Sequence, residues 1–96
     1  MISKSLGFGI WGTGIIAEFH ALALKQIPNA KLIAAYNRTP EKGLQFCQKH
    51  QISFAETPEA LLKNPAIDIV CICTASGNHL EPALACAQAG KHIAIE

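Results

Sequence analysis

Three short stretches hold residues whose types and spacing could do chemistry. The first is Gly12-Thr13-Gly14-Ile15-Ile16-Ala17, a G-x-G-x-x-A run. In that spacing the first glycine permits a tight turn. The second lets the backbone approach a pyrophosphate that a β-carbon would block, and the small last residue keeps a helix close to a strand. The amides at the helix start, from Gly12 through Thr13, Gly14 and Ile15 to Ile16, would then hold phosphate oxygens. A glycine-rich turn without a ligand is the simpler alternative. An apolar run before the motif and a helical pattern after it weigh against that alternative.

The second stretch is Asn37-Arg38-Thr39, at the end of the second apolar run. A carboxylate at this place binds the ribose hydroxyls of NAD. Here the residue is a neutral asparagine, which repels no 2′-phosphate. Arg38 can pair with such a phosphate in bidentate fashion, and Thr39 offers a hydroxyl. The residues favour NADP over NAD, although a neighbouring charge could reverse the preference and Arg38 could be a plain surface arginine. The third stretch is Thr74-Ala75-Ser76-Gly77-Asn78-His79, at the end of the fourth apolar run. In an open α/β sheet the ligand lies beyond the carboxyl ends of the strands, so Thr74, Ala75 and Asn78 would line it. His79 opens the next helix; it could reach the cofactor or substrate, or equally serve as a cap or packing residue.

The remaining candidates read as structural. Cys47, Cys71, Cys73 and Cys86 form neither a CxxC pair nor zinc-finger spacing, and buried thiols in a reducing compartment are the favoured reading. His20 reads as a packing residue beside Ile16 and Ala23, and His50 as a dipole complement at a helix C-terminus. Neither joins a metal-ligand cluster, so no metal is expected. Lys91 and His92 stand at the start of a strand, away from its carboxyl end, and read as structural or surface residues.

Elements that alternate must position these stretches. Strands are expected over Leu6–Trp11, Lys31–Asn37, Ile52–Ala55, Asp68–Thr74 and His92–Glu96. Helices are expected from about Gly14 to Gln26, Pro40 to His50, Pro58 to Asn64 and His79 to Ala89. In the first helix Ile15, Phe19 and Leu22 form the apolar face, joined by Ile16, Ala23 and Ile27, while Glu18 and Lys25 face water. In the last, Leu80, Leu84 and Ala87 share a face. Thr39-Pro40-Glu41 and Thr57-Pro58-Glu59 are helix starts, with threonine as cap and proline in the first turn. Strands that are apolar on both faces are parallel strands covered by helices. The fold class is α/β, a doubly wound parallel sheet of about five strands with flanking helices.

Bulk properties exclude several classes. Ninety-six residues make one domain at most, and 50% apolar with 16% charged residues is ordinary for a globular chain. A net charge of +1 gives no general attraction to nucleic acid or acidic membrane. No apolar run approaches a membrane span or a signal peptide, so a cytoplasmic location is expected.

Four segments together resemble the Gfo/Idh/MocA oxidoreductases: "GFGIWGTGIIAEFHALAL", "AAYNRTPEK", "ETPEALL" and "DIVCICTASGNHLEPALACAQAGKHIAIE". The specific signals are T-x-x-x-x-H at Thr74 to His79 and A-x-A-G-K-H-x-x-x-E at Ala87 to Glu96. The resemblance implies a nicotinamide cofactor and hydride transfer at a carbinol carbon of a sugar, cyclitol or related polyol. It implies that Gly12, Gly14 and Ala17 form the pyrophosphate turn and that Asn37 and Arg38 meet the ribose or its 2′-phosphate. Thr74, Asn78 and His79 would match cofactor-side residues. Glu96 would match the glutamate of an E-K-P motif, against the nicotinamide ribose. Ala75 stands where the family commonly has proline.

The family's catalytic lysine would follow Glu96, so no catalytic residue is expected within the chain. On this reading residues 1–96 are a truncated NAD(P)-binding domain, inactive alone. The substrate-binding α/β domain is absent, and the parent is a homo-oligomer. The alternative is a stand-alone dinucleotide-binding module or sensor. Its difficulty is the last strand, which would be an unprotected apolar edge prone to association.

Overall fold

The computed structural model describes residues 5–74 and 79–95. The elements run β1 (Leu6–Trp11), α1 (Ile15–Lys25), β2 (Ala30–Tyr36), α2 (Pro40–His50), β3 (Ser53–Phe54), α3 (Pro58–Leu62), β4 (Ile69–Ile72), α4 (Leu80–Gln88) and β5 (His92–Ile95). The strands form one parallel sheet in the order β3-β2-β1-β4-β5. Strand order reverses between β1 and β4, which is where a doubly wound sheet opens a crevice.

The sheet is covered on both faces. One layer holds Ile10, Ala17, Ala21, Ala35, Phe46, Cys47 and Cys71, between the sheet and α1 and α2. The other holds Ala34, Ala55, Leu61, Ile67, Val70, Ile72 and Cys86, under α3 and α4. Adjacent residues such as Ala34 and Ala35, or Val70 and Cys71, go to opposite layers because strand side chains alternate. Each fully buried Ile, Leu or Val stabilises the fold by roughly 1.5–3 kcal/mol. Burial pushes the thiols of Cys47 and Cys86 up.

Two helix faces differ from the sequence expectation, and in the same way. In α1 the buried residues are Ala17, Ala21 and Leu24, while Ile15 and Phe19 are 76% and 65% exposed. In α4 the buried residues are Pro82 and Cys86, while Leu80, Leu84 and Ala87 face outward. Both inward stripes are shifted by two residues from the expected ones. At 3.6 residues per turn that is about 200°, nearly the opposite face. The inward stripes carry Ala17 and Ala21 in α1 and Cys86 in α4, small residues that let each helix sit close on the sheet.

The helix starts agree in place and differ in detail. Thr57 caps α3, its Oγ1 accepting from Ala60 N at 3.0 Å. Thr39 is the N-cap of α2, but its side chain makes no capping bond. Asn37 Oδ1 instead accepts from Thr39 N at 2.7 Å, so the turn is closed from the preceding strand. β5 is one edge of the sheet, with Ile93 and Ile95 exposed.

Candidate functional site

The carboxyl ends of β1, β2 and β4 meet at the glycine turn. Gly12 N donates to Tyr36 O at 2.8 Å and Cys73 N donates to Trp11 O at 2.8 Å, so the turn is stitched to both neighbouring strands. Gly12 has φ +100°, and a β-carbon there would lie 2.9 Å from the Cys73 carbonyl group and Thr74 N. Only glycine satisfies both conditions without strain. Gly14 is different. It is the N-cap of α1 at φ −87°, and a β-carbon there would meet nothing within 4 Å.

Beyond Gly14 lie amides that the helix itself cannot use. Glu18 N is bonded back to Gly14 O at 3.2 Å, whereas the amides of Ile15, Ile16 and Ala17 precede the first intrahelical bond. These N–H groups carry the positive end of the helix dipole toward the space over Gly14. An open cradle with unused donors at an 11-residue helix fits a pyrophosphate.

From this cradle a cleft of about 400 Å³ runs along the sheet's carboxyl edge. It brings together Gly12, Thr13, Gly14, Asn37, Arg38 and Thr74 of the residues expected from sequence. Asn37 is held from two sides: its Nδ2 donates to Thr13 Oγ1 at 2.6 Å while its Oδ1 takes Thr39 N. It therefore braces the glycine turn and presents no carboxylate to a ribose. Arg38 is exposed at the cleft, with no ion-pair partner among the described residues.

Other expected residues lie elsewhere. The side chains of Ile15 and Ile16 point outward, and Thr39 does not line the cleft. His79 is the N-cap of α4; its Nε2 lies 2.9 Å from Thr74 O, so the ring closes the strand-to-helix connection and does not line the cleft. Ala75, Asn78 and Glu96 lie outside the described residues. Among the described residues, Trp11, Tyr36, Pro58, Cys73, Glu81 and Pro82 also line the cleft, and no motif marks them as ligand-facing. Trp11 and Tyr36 are the last residues of β1 and β2, in edge-to-face contact at 5.9 Å. The rule that ligands sit beyond carboxyl strand ends could have found both.

Two basic residues also gain definite partners. Lys91 Nζ donates to Asn64 O at 2.9 Å and Ile67 O at 2.6 Å, at the opposite edge of the sheet. His50 is more than a dipole complement. Its side chain is 1% exposed, and its Nε2–H donates to Glu18 Oε1 at 2.8 Å. Glu18, expected to face water, thus bridges α1 to α2 and also accepts from Lys49 Nζ at 2.8 Å. Among the described residues no helix is long and apolar enough to cross a membrane.

Comparisons with known proteins agree with this geometry. Residues 6–96 match Gfo/Idh/MocA, described as an oxidoreductase family with an NAD-binding Rossmann fold. Myo-inositol 2-dehydrogenase of Thermotoga maritima is 33% identical over 89 residues, which are 92% of this chain and 27% of that protein. Biliverdin reductase from Synechocystis sp. PCC 6803, solved with biliverdin and NADP+, superposes with a TM-score of 0.86 at 28% identity, over 94% of this chain and 28% of that one. Scyllo-inositol dehydrogenase from Lactobacillus casei, solved with NAD(H) and scyllo-inositol, gives 0.84 at 29% identity, over 96% of this chain and 28% of that one. The chain spans about a quarter of the length of these relatives. One neighbour holds the phosphorylated dinucleotide and another the unphosphorylated one, so NAD(P) is the shared ligand class. The chain belongs to the Gfo/Idh/MocA oxidoreductase family and carries its NAD-binding Rossmann fold.

Proposed function

We propose that this chain binds NADP in preference to NAD in the cleft over β1, β2 and β4. We propose further that the whole protein moves a hydride between that cofactor and a carbinol carbon of a sugar, cyclitol or related polyol. The observation that carries the binding reading is the empty space over Gly14, faced by the unused amides of α1. The preference for NADP rests on the neutral Asn37, held at both ends of its amide, and on the exposed Arg38 beside it. The polyol reading draws on inositol dehydrogenases among the relatives, such as the Thermotoga maritima and Lactobacillus casei proteins.

The bound nicotinamide would supply or accept the hydride. This chain's own residues bind and orient it. Gly12 shapes the turn, its own amide being held by Tyr36 O. Thr13, Gly14, Ile15 and Ile16 take the pyrophosphate through their backbone, and Asn37 and Arg38 form the adenosine end, with the Thr39 amide holding Asn37 in place. Thr74, Ala75, Asn78 and Glu96 belong on this reading to the nicotinamide side, and His79 supports that end by holding the Thr74 carbonyl. The proton donor for the alkoxide oxygen is assigned outside residues 1–96, so the chain alone orients a cofactor without turning over substrate.

The test is a titration of the purified chain with NADPH and NADH, followed by nicotinamide fluorescence, beside Gly14→Ala. The variant is expected to keep its circular dichroism spectrum and to lose about tenfold or more in affinity. Equal affinity of variant and parent would overturn the assignment of the pyrophosphate. Turnover of any polyol with NADP by the chain alone would overturn the division of labour.

A further inference from the structure

The polar cluster of Glu18, Lys49 and His50 stands outside the cleft, yet it touches the helix on which the cleft depends. Glu18 is the fourth residue of α1, and its amide closes the first helical bond onto Gly14 O. At 1.5 Å per residue it sits about 6 Å along the axis from the N-cap. Its carboxylate reaches across to the last two residues of α2, at 2.8 Å to Lys49 Nζ and 2.8 Å to His50 Nε2.

The protonation of this cluster follows from its partners. Lys49 holds the Glu18 carboxyl below the usual carboxylate range, and His50 adds to this, so the carboxylate is ionised and accepts from both. Nε2 of His50 therefore carries a hydrogen. The other ring nitrogen, Nδ1, is buried without a partner, and the ring lies 4.6 Å from the Phe46 ring. A buried histidine that forgoes one hydrogen bond is an expense in stability with no return in packing that a phenylalanine could not provide. What it provides is a directed bond to α1.

That bond matters because the rest of the α1 contact is smooth. The helix rests on the sheet through Ala17, Ala21 and Leu24, only the last of which is large, while Ile15, Ile16, Phe19 and Leu22 are turned outward. Alanines allow close approach but interlock little, so they fix the helix weakly along its axis and in rotation. There is also a charge conflict to resolve. An acid in the first turn repels an anion bound at the same helix end, unless its charge is met elsewhere.

We propose that Glu18, clamped by His50 and Lys49, is a positioning residue that sets the N-terminus of α1 against the pyrophosphate. The clamp fixes the helix and turns the carboxylate's charge toward α2. This inference rests on the dinucleotide reading above and adds a determinant of affinity remote from the ligand.

The test uses the full chain with two ligands: NADPH, and adenosine 2′-monophosphate, which has the adenosine half without a pyrophosphate. Glu18→Ala and His50→Phe are each expected to raise the NADPH dissociation constant about five- to tenfold. Both should leave adenosine 2′-monophosphate binding within about twofold of the parent chain. Glu18→Gln, whose carboxamide oxygen still accepts from His50, should restore NADPH affinity to within about twofold. Unchanged NADPH affinity in Glu18→Ala overturns the proposal. Equal losses for both ligands also overturn it, because they indicate a general structural role. If Glu18→Ala does not fold, His50→Phe carries the test, since its ring refills the place beside Phe46. Failure of both to fold overturns it as well, for the cluster would then hold the fold and not place the helix. A parent chain that binds NADH but not NADPH is read with NADH and adenosine. A parent chain that binds neither dinucleotide defeats the underlying reading, which is a separate and recognisable failure.

Discussion

The two ends of the parallel sheet are built on opposite plans. At the amino end, polar groups close on one another. Gly7 N donates to Asp68 Oδ2 at 2.9 Å, Asp68 N returns a bond to Gly7 O at 2.8 Å, and Lys91 Nζ covers the carbonyls of Asn64 and Ile67. A β-carbon at Gly7 would run into the carbonyl of Ala66. At the carboxyl end, a β-carbon at Gly14 would touch nothing, the first amides of α1 are unused, and Arg38 is exposed. One end spends its hydrogen-bonding capacity on the fold. The other withholds it, and withheld capacity around a cleft is the mark of a ligand site.

Substitutions can break or sharpen this contrast, and the largest effect belongs to the closed end. Gly7→Ala forces a side chain into backbone and should lower unfolding free energy by about 3 kcal/mol, read by urea denaturation. A fall much smaller than this would mean that the amino end is loosely packed. Lys91→Met keeps the aliphatic stem and leaves the Ile67 carbonyl without the ammonium. It should cost about 2 kcal/mol of stability and leave dinucleotide affinity unchanged. A loss of affinity would couple the two ends and blur the distinction.

At the open end the signature reverses. Arg38→Gln should leave stability within about 0.5 kcal/mol of the parent chain. It should weaken NADPH about tenfold while leaving NADH unchanged, measured by calorimetric titration. Equal losses for both cofactors would remove the 2′-phosphate from the assignment. The smallest effect is expected from acid. Glu18 lies toward the open end, but its carboxylate is closed by Lys49 and then His50, which lower its pKa in the folded chain. The sign is that of a depressed acid. Its contribution is complete above the ordinary carboxylate range and is lost as pH falls through the lowered folded value. The stability gap between the parent chain and Glu18→Gln, on the order of 0.5 kcal/mol at neutral pH, should therefore close in acid. A gap that persists unchanged to about pH 2 would show that the charge of Glu18 contributes nothing.

Much of the fold was legible because its signals are local. β1 and α2 lie on the residues expected, and the other elements begin and end within a few residues of expectation. Proline after threonine starts two helices, and both starts are in place. Parallel strands follow from apolar runs joined by helices. The site was legible only in part. The glycine turn, Asn37, Arg38 and Thr74 are neighbours in the cleft, whereas Trp11, Tyr36 and Glu81 joined them from strand ends and a helix start that carry no motif.

The sequence by itself determined the order and kind of the elements and the glycine turn at the head of α1. It also determined the absence of a carboxylate where β2 ends. Those depend on residue type and short spacing. The tertiary structure alone decided which stripe of α1 and α4 turns inward. Periodicity says that Ile15, Phe19 and Leu22 share a face, but Ala17, Ala21 and Leu24 share one with the same spacing. Only the sheet decides which stripe has something against it. The partners of Asn37, 24 residues from Thr13, and of His50, 32 residues from Glu18, were decided in the same way. Contacts across such distances are fixed by the crossovers that bring the segments together, and no local pattern of residues encodes them.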